Sequence, residues 1–243
     1  MYKNLLISIF FISSLVCHAQ PGQFFDAPFG GGIGYVPAWY VPNLSPVNSE
    51  LNNIGMPELS TSGFYSSGIA GFIYIGFVKN LRIGGMGFGG SLSSNQNVSG
   101  INREVIYSLS GGGVTIEYTL PFIKNLGVSV GAAIGTGSLQ LDMYRNSGEF
   151  TWGVIWDELA NPNNPSENFN KKLKNSFWMF TPTINLDYPL YRFVTIRLGV
   201  GYQLAFADDW TADNDQPVSG IPSDLNSNSF FIQSGIFVGF FSF

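Results

Sequence analysis

The sequence has one cysteine and one histidine in 243 residues, and both, Cys17 and His18, fall within its first twenty positions. That opening stretch, MYKNLLISIFFISSLVCHAQ, reads as an export signal. Lys3 gives a positive start, Leu5 to Val16 a short apolar core, and Cys17-His18-Ala19 a small residue at each position a signal peptidase inspects. Cleavage is expected after Ala19, making 1–19 the signal peptide and 20–243 the working chain. The apolar core is too short to span a bilayer as a helix, and Val16 before Cys17 is larger than lipoprotein processing prefers. The chain that remains has neither imidazole nor thiol. Disulfides, thiol nucleophiles, imidazole bases and His or Cys metal sites are therefore excluded from it.

Charge is also scarce. Charged residues make up 11% of the chain, against about 25% in an ordinary soluble domain. Without Lys3, 10 basic residues face 16 acidic ones, so nucleic acid is not an expected partner. Nor is there, beyond residue 20, any run of about 18 apolar residues, which excludes helical membrane spans. What the chain has in quantity is 30 glycines and 16% aromatic residues, set in short alternating runs. A closed barrel reconciles these facts, because it hides every strand edge while leaving an apolar face for lipid.

Three phrases mark tight turns: Phe77-Val78-Lys79-Asn80-Leu81, Phe122-Ile123-Lys124-Asn125-Leu126 and Pro189-Leu190-Tyr191-Arg192-Phe193. A Gly-rich apolar run follows each. Between these hairpins lie polar stretches, 43–61, 94–102, 147–175 and 208–228, which read as long loops. Four long and three short connections give eight strands, expected at 29–41, 62–78, 81–94, 103–122, 126–146, 176–190, 193–208 and 229–243. The fold class is all-β: a closed up-and-down antiparallel transmembrane barrel with short periplasmic turns and long outer loops. Val114, Ile116, Tyr118 and Leu120 alternate with Thr115, Glu117 and Thr119, and Ile184, Leu186 and Tyr188 with Asn185 and Asp187. The apolar set is assigned to lipid and the small or polar set to the lumen. The phase slips near Gly84-Gly85 and Gly135 to Gly137, which suggests bulges there. Periodicity alone does not say which face is wet, so a soluble lipocalin-like barrel or sandwich with an apolar interior stays open.

The C-terminal run alternates Phe237, Gly239, Phe241 and Phe243 and ends on phenylalanine. It resembles the terminal strand of Gram-negative outer-membrane barrels, and the chain after the signal is similar to the small barrel families of OmpA, OmpX and OmpW type. The resemblance implies a cell outer-membrane location, and it implies that Phe237, Phe241 and Phe243 act as a tag read by the barrel-assembly machinery. Enzymatic outer-membrane barrels rely on a catalytic histidine, which this chain lacks after residue 20.

Four charges are placed inside the barrel near the short turns: Arg82, Glu117, Asp187 and Arg197. Two positive and two negative groups at similar depth are expected to pair, since an unpaired charge in a narrow lumen is costly. Such a cluster reads either as a polar constriction or as a structural plug. The outer-loop aromatics Phe150, Trp152, Trp156 and Phe169 suit contact with a partner or a seat at the membrane interface. A short helix is expected within 43–61. Asp208, Asp209, Asp213 and Asp215 do not follow the twelve-residue calcium-loop spacing and read as a solvated acidic loop, so no metal and no cofactor is expected. The functional expectation is a non-enzymatic, porin-like scaffold that sits in the lipid bilayer and presents its outer loops to an unnamed surface partner. The alternative is a passive channel for small or hydrophobic solutes.

Overall fold

The computed structural model describes residues 29–121, 123, 126–147, 151–160, 168–191 and 193–242. The signal peptide, Phe150, Phe243 and the turn residues Phe122, Lys124, Asn125 and Arg192 lie outside the described residues. Ten strands form one antiparallel sheet. β1 (Phe29–Tyr35) and β2 (Ala38–Pro42) are followed by helix α1 (Ser45–Asn53), then by β3 (Phe64–Tyr74), β4 (Leu81–Val98), β5 (Ile101–Thr119) and β6 (Gly127–Ser147). Helix α2 (Trp152–Ala160) precedes β7 (Phe169–Tyr191), β8 (Val194–Ala212), the two-residue β9 (Gln216–Pro217) and β10 (Ser229–Ser242).

β1 and β2 are two halves of one stave. Pro37 has no N–H to give the ladder, so the strand breaks there, while Val36 donates to the Gly68 carbonyl at 2.8 Å and Ser234 to that of Pro37 at 3.0 Å. Both halves pair with β3 on one side and β10 on the other, which closes the sheet into a ring of eight staves. The register can be followed round the ring. Tyr74 pairs with Arg82, then Glu117, Gly131, Thr183, Gly201, Phe231 and Tyr40, and returns to β3 at Phe64, ten residues from where it left. That stagger tilts the staves by about 40° and leaves an interior just wide enough for side chains to fill.

Outside, β7, β8 and β10 carry Phe180, Ile184, Leu198, Val200, Ile232 and Ile236, all exposed. A belt of this kind would be prohibitive in water and is what lipid requires. It settles which face is wet: the apolar-interior soluble alternatives are set aside.

Four expectations need correction. The stretch 94–102 is not a long loop: β4 and β5 run to Val98 and Ile101 and join through Ser99 and Gly100, both at positive φ, in a two-residue hairpin turn. Residues 169–175 are likewise strand, so the wall of β4 to β7, with β8 paired to it as far as Ala212, rises well beyond β3 and β10, and the loop expected at 147–175 is shorter. No bulge sits at Gly84-Gly85 or Gly135 to Gly137, where pairing is unbroken. The register shifts are between Asn175 and Phe177 and between Pro189 and Tyr191. The apparent phase slip has another cause. Along β4, Arg82, Gly84, Met86, Phe88 and Leu92 all face inward, and Ile83, Gly85 and Gly87 outward, so the pleat never changes. What changes is the lumen, which is polar at the level of Arg82 and apolar above Met86.

Candidate functional site

The short-turn end of the lumen is filled by a charge cluster. Arg82 comes from the start of β4, Glu117 from the end of β5, Asp187 from late β7 and Arg197 from early β8, so all four reach the interior at one depth. Arg82 Nη1 donates to Asp187 Oδ2 at 2.6 Å, and Arg82 Nη2 lies 2.8 Å from Glu117 Oε2. Arg197 Nε and Nη2 donate to the two Asp187 oxygens at 2.7 and 2.9 Å, while Nη1 and Nη2 donate to the two Glu117 oxygens at 2.9 and 3.0 Å. Each carboxylate thus bridges both guanidiniums, and the charges sum to zero. Bidentate geometry of this kind offsets the desolvation cost of burying four ions. Aromatic faces complete the shell: the Arg82 guanidinium carbon sits 4.7 Å from the Phe72 ring centroid and that of Arg197 4.7 Å from Phe237. Asn185 donates to Glu117 at 3.4 Å and is itself held by Gln233 at 2.7 Å.

Glycine makes room for the bulk. A Cβ on Gly131 would meet the Glu117 side chain at 2.8 Å, and one on Gly34 would meet the Phe237 ring at 2.8 Å. The lumen packs only because these positions have no side chain.

Higher in the barrel the filling is apolar. Tyr40 stacks on Phe231 at 4.8 Å and on Phe88 at 5.1 Å, and Tyr107, Leu109, Leu139 and Phe177 close around them, each 2% exposed or less. Above this core β3, β10 and β2 have ended, and α1 fills the gap against the taller β4 to β7 wall. Val47 and Leu51 of the helix are buried, with Leu44, Met56 and Leu59 from its flanks. Asn48 fastens it twice, donating to the Leu59 carbonyl at 3.0 Å and accepting from the Leu59 N–H at 2.8 Å. Ser94, Gln96 and Arg103 donate to the carbonyls of Pro57, Gly55 and Ile54, which ties the loop to the wall. Between the two fillings lies a cavity of about 30 Å³ lined by Tyr40, Phe72, Phe88, Glu117, Arg197 and Gln233. That is room for about two water molecules.

Of the residues singled out from sequence, the four charges are brought together, and two of the loop aromatics meet. Trp152 and Trp156 meet edge to face at 5.6 Å on α2, both exposed, while Phe169 opens β7. Phe237 points inward onto Arg197, and Phe241 pairs with Gly30 across β1. The aspartates do not gather. Asp213 is held by Lys171 and by the Lys172 N–H, and Trp210 between them is buried in the apolar core. The Lys171 ammonium and that N–H hold the Asp213 carboxyl below the usual carboxylate range.

No protein-family model and no curated protein sequence matches the chain. Solved structures do. A major outer membrane protein of Thermus thermophilus superposes with a TM-score of 0.51 at 8% identity, covering 86% of this chain and 99% of that one. The fold is that of an outer-membrane β-barrel. Ail, the attachment invasion locus protein of Yersinia pestis, aligns over 87% of this chain and 99% of its own at 12% identity, with a TM-score of 0.39. The protein accordingly has the fold of an outer-membrane barrel, and its apolar belt is the face that such a barrel sets in lipid.

Proposed function

We propose that this barrel is a non-conducting, non-enzymatic scaffold that holds its outer end above the membrane for contact with a surface partner. The observation that carries this reading is the double filling of the lumen, a neutral charge cluster below and an aromatic core with α1 above. A path through it would have to separate both. The tall wall supports the second half of the reading. Eleven residues of β6 separate Thr136, which pairs with the lipid-facing Trp178, from Ser147 at the strand end. At about 3.3 Å per residue and a tilt near 40°, that lifts the end of β6 roughly 28 Å above the Trp178 level. The exposed Trp152, Ile155 and Trp156 of α2, the next described element after that strand end, offer apolar contact area to a protein partner. Insertion through the barrel-assembly machinery belongs to the same reading and rests on the aromatic C-terminal strand. The decisive measurement is conductance of purified protein in planar bilayers. No steady current is expected, and reproducible single-channel steps would instead make the protein a passive solute channel.

A further inference from the structure

On the outward faces of β4 to β7, three neighbouring rows of residues run across the strands, each fixed by register. Trp178 pairs with Thr136 and Thr136 with Gly112; Ser176 pairs with Ser138 and Ser138 with Ser110; Lys174 pairs with Gln140 and Gln140 with Ser108. The row beneath them is Phe180, Ile134 and Val114, part of the lipid belt. Climbing the wall away from the short turns, the surface therefore changes from wholly apolar to indole, to hydroxyl, to ammonium within a few residues.

These rows enclose a surface groove. Gly112 lowers its floor on the outward face, with the backbone of Gly111 and Gly137 beside it, the exposed Trp178 forms one wall, and Lys174 stands at its upper rim with Asp208 on the β8 side. The Ser110 and Ser138 hydroxyls meet in it at 3.3 Å. Among the described residues Lys174 has no ion-pair partner, whereas Lys171 is held by Asp213 and Lys172 lies opposite Asp142. The rest of the upper belt is built differently, with Phe206, Tyr202, Phe230 and Trp39 filling it on β8, β10 and β2.

We propose that this groove binds one phosphorylated lipid of the surrounding leaflet. Its acyl chains lie on Phe180, Ile134 and Val114, its hydroxylated headgroup on the serines beside Trp178, and its phosphate on Lys174. The order of chemistries up the wall is the order of chemistries along such a lipid, and the groove is continuous with the belt already in lipid. A soluble anion would use the lysine but not the apolar row. A protein partner would use the polar rows but not the apolar row of the lipid belt beneath them.

The test uses the full chain in detergent micelles and native mass spectrometry, with a diphosphorylated disaccharide lipid (lipid A) as probe and its phosphate-free analogue as control. One bound lipid A is expected per barrel, held about fivefold more tightly than the analogue, as one surface lysine contributes. Lys174→Gln should lower retention by the same factor, and Ser138→Leu, which fills the groove, should abolish it. Lys79→Gln, in the β3 to β4 turn at the opposite end, should leave it unchanged. Normal heat-modifiable gel migration of each variant shows that it is folded. Equal retention of the phosphate-free analogue, or equal loss in the Lys174 and Lys79 variants, would overturn the proposal.

Discussion

The two ends of the lumen solve one problem by opposite means. At the short turns the interior is filled by ions that cancel, and farther out by rings and aliphatic chains that need no cancelling. A charged filling is unforgiving, because removing one member strands the others in a dry site, whereas an apolar filling loses stability only in proportion to the volume removed. The inner end is therefore specified by pairing and the outer end by packing. That difference ranks the consequences of substitution.

The largest effect is expected for Arg197→Met, which leaves Glu117 and Asp187 sharing Arg82 alone. A loss of about 3–5 kcal/mol follows from breaking a buried ionic network on one side. Urea unfolding in micelles, followed by loss of heat-modifiable migration, measures it. Replacing all four charges by Met or Leu should recover most of the loss, because no ion is then left unpaired. If the single and fourfold variants are equally unstable, pairing is not what specifies the inner end.

Much of this was legible in the residues. Arg82, Glu117, Asp187 and Arg197 stood out because each is a charge on an otherwise small or uncharged lumen face, and clean alternation fixed the direction of Glu117, Asp187 and Arg197. The outer filling was hidden by the same rule. Once Met86, Phe88, Leu109, Leu139 and Leu141 are inward, the apolar side of β4, β5 and β6 changes faces midway, and a reader who equates apolar with lipid infers a bulge. The glycines at the crossover encouraged that reading, although they serve to admit neighbouring rings, as Gly137 admits Phe177. Polar residues misled at the tips too. Serine and asparagine at 94–97 suggested a loop, but Asn95 and Asn97 face out from a strand standing in water, where polar outward faces are required, while Ser94 turns inward to the Pro57 carbonyl.

A second effect should follow from Leu139→Ala, which removes volume from the outer core. About 2–4 kcal/mol is expected from lost burial and the cavity left behind. The variant should still carry no current in planar bilayers, because the charge cluster remains closed beneath it. Conductance from this variant alone would show that the inner end does not seal.

A smaller and local effect is expected for Asn48→Ala. The two hydrogen bonds to Leu59 are lost inside an apolar site, at a cost of about 1–3 kcal/mol. Hydrogen exchange should quicken across residues 45–59 and stay unchanged in β7 and β8. Uniform quickening would mean that α1 is integral to the barrel instead of packed upon it.

The smallest effect concerns Asp213, in the turn after β8. Its carboxylate accepts from the Lys171 ammonium and from the Lys172 N–H, and both favour the charged form. A carboxyl whose folded value is lowered contributes stability above its unfolded value, near 3.9, and that contribution disappears as pH falls through the lower folded value. The window is therefore acidic, below about pH 4, and nothing should change between pH 8 and pH 5. Because the pair is exposed, solvent screens it, and the unfolding midpoint of the barrel should not move. The sensitive readout is the carboxyl-carbon NMR resonance of Asp213 in micelles, whose titration midpoint should lie below the free-aspartate value. Lys171→Gln should raise that midpoint without restoring it fully, since the Lys172 N–H still donates. A midpoint that Lys171→Gln leaves unmoved would mean that the backbone alone holds the carboxylate. The outer end would then owe nothing to ion pairing, and the contrast with the inner end would be sharper still.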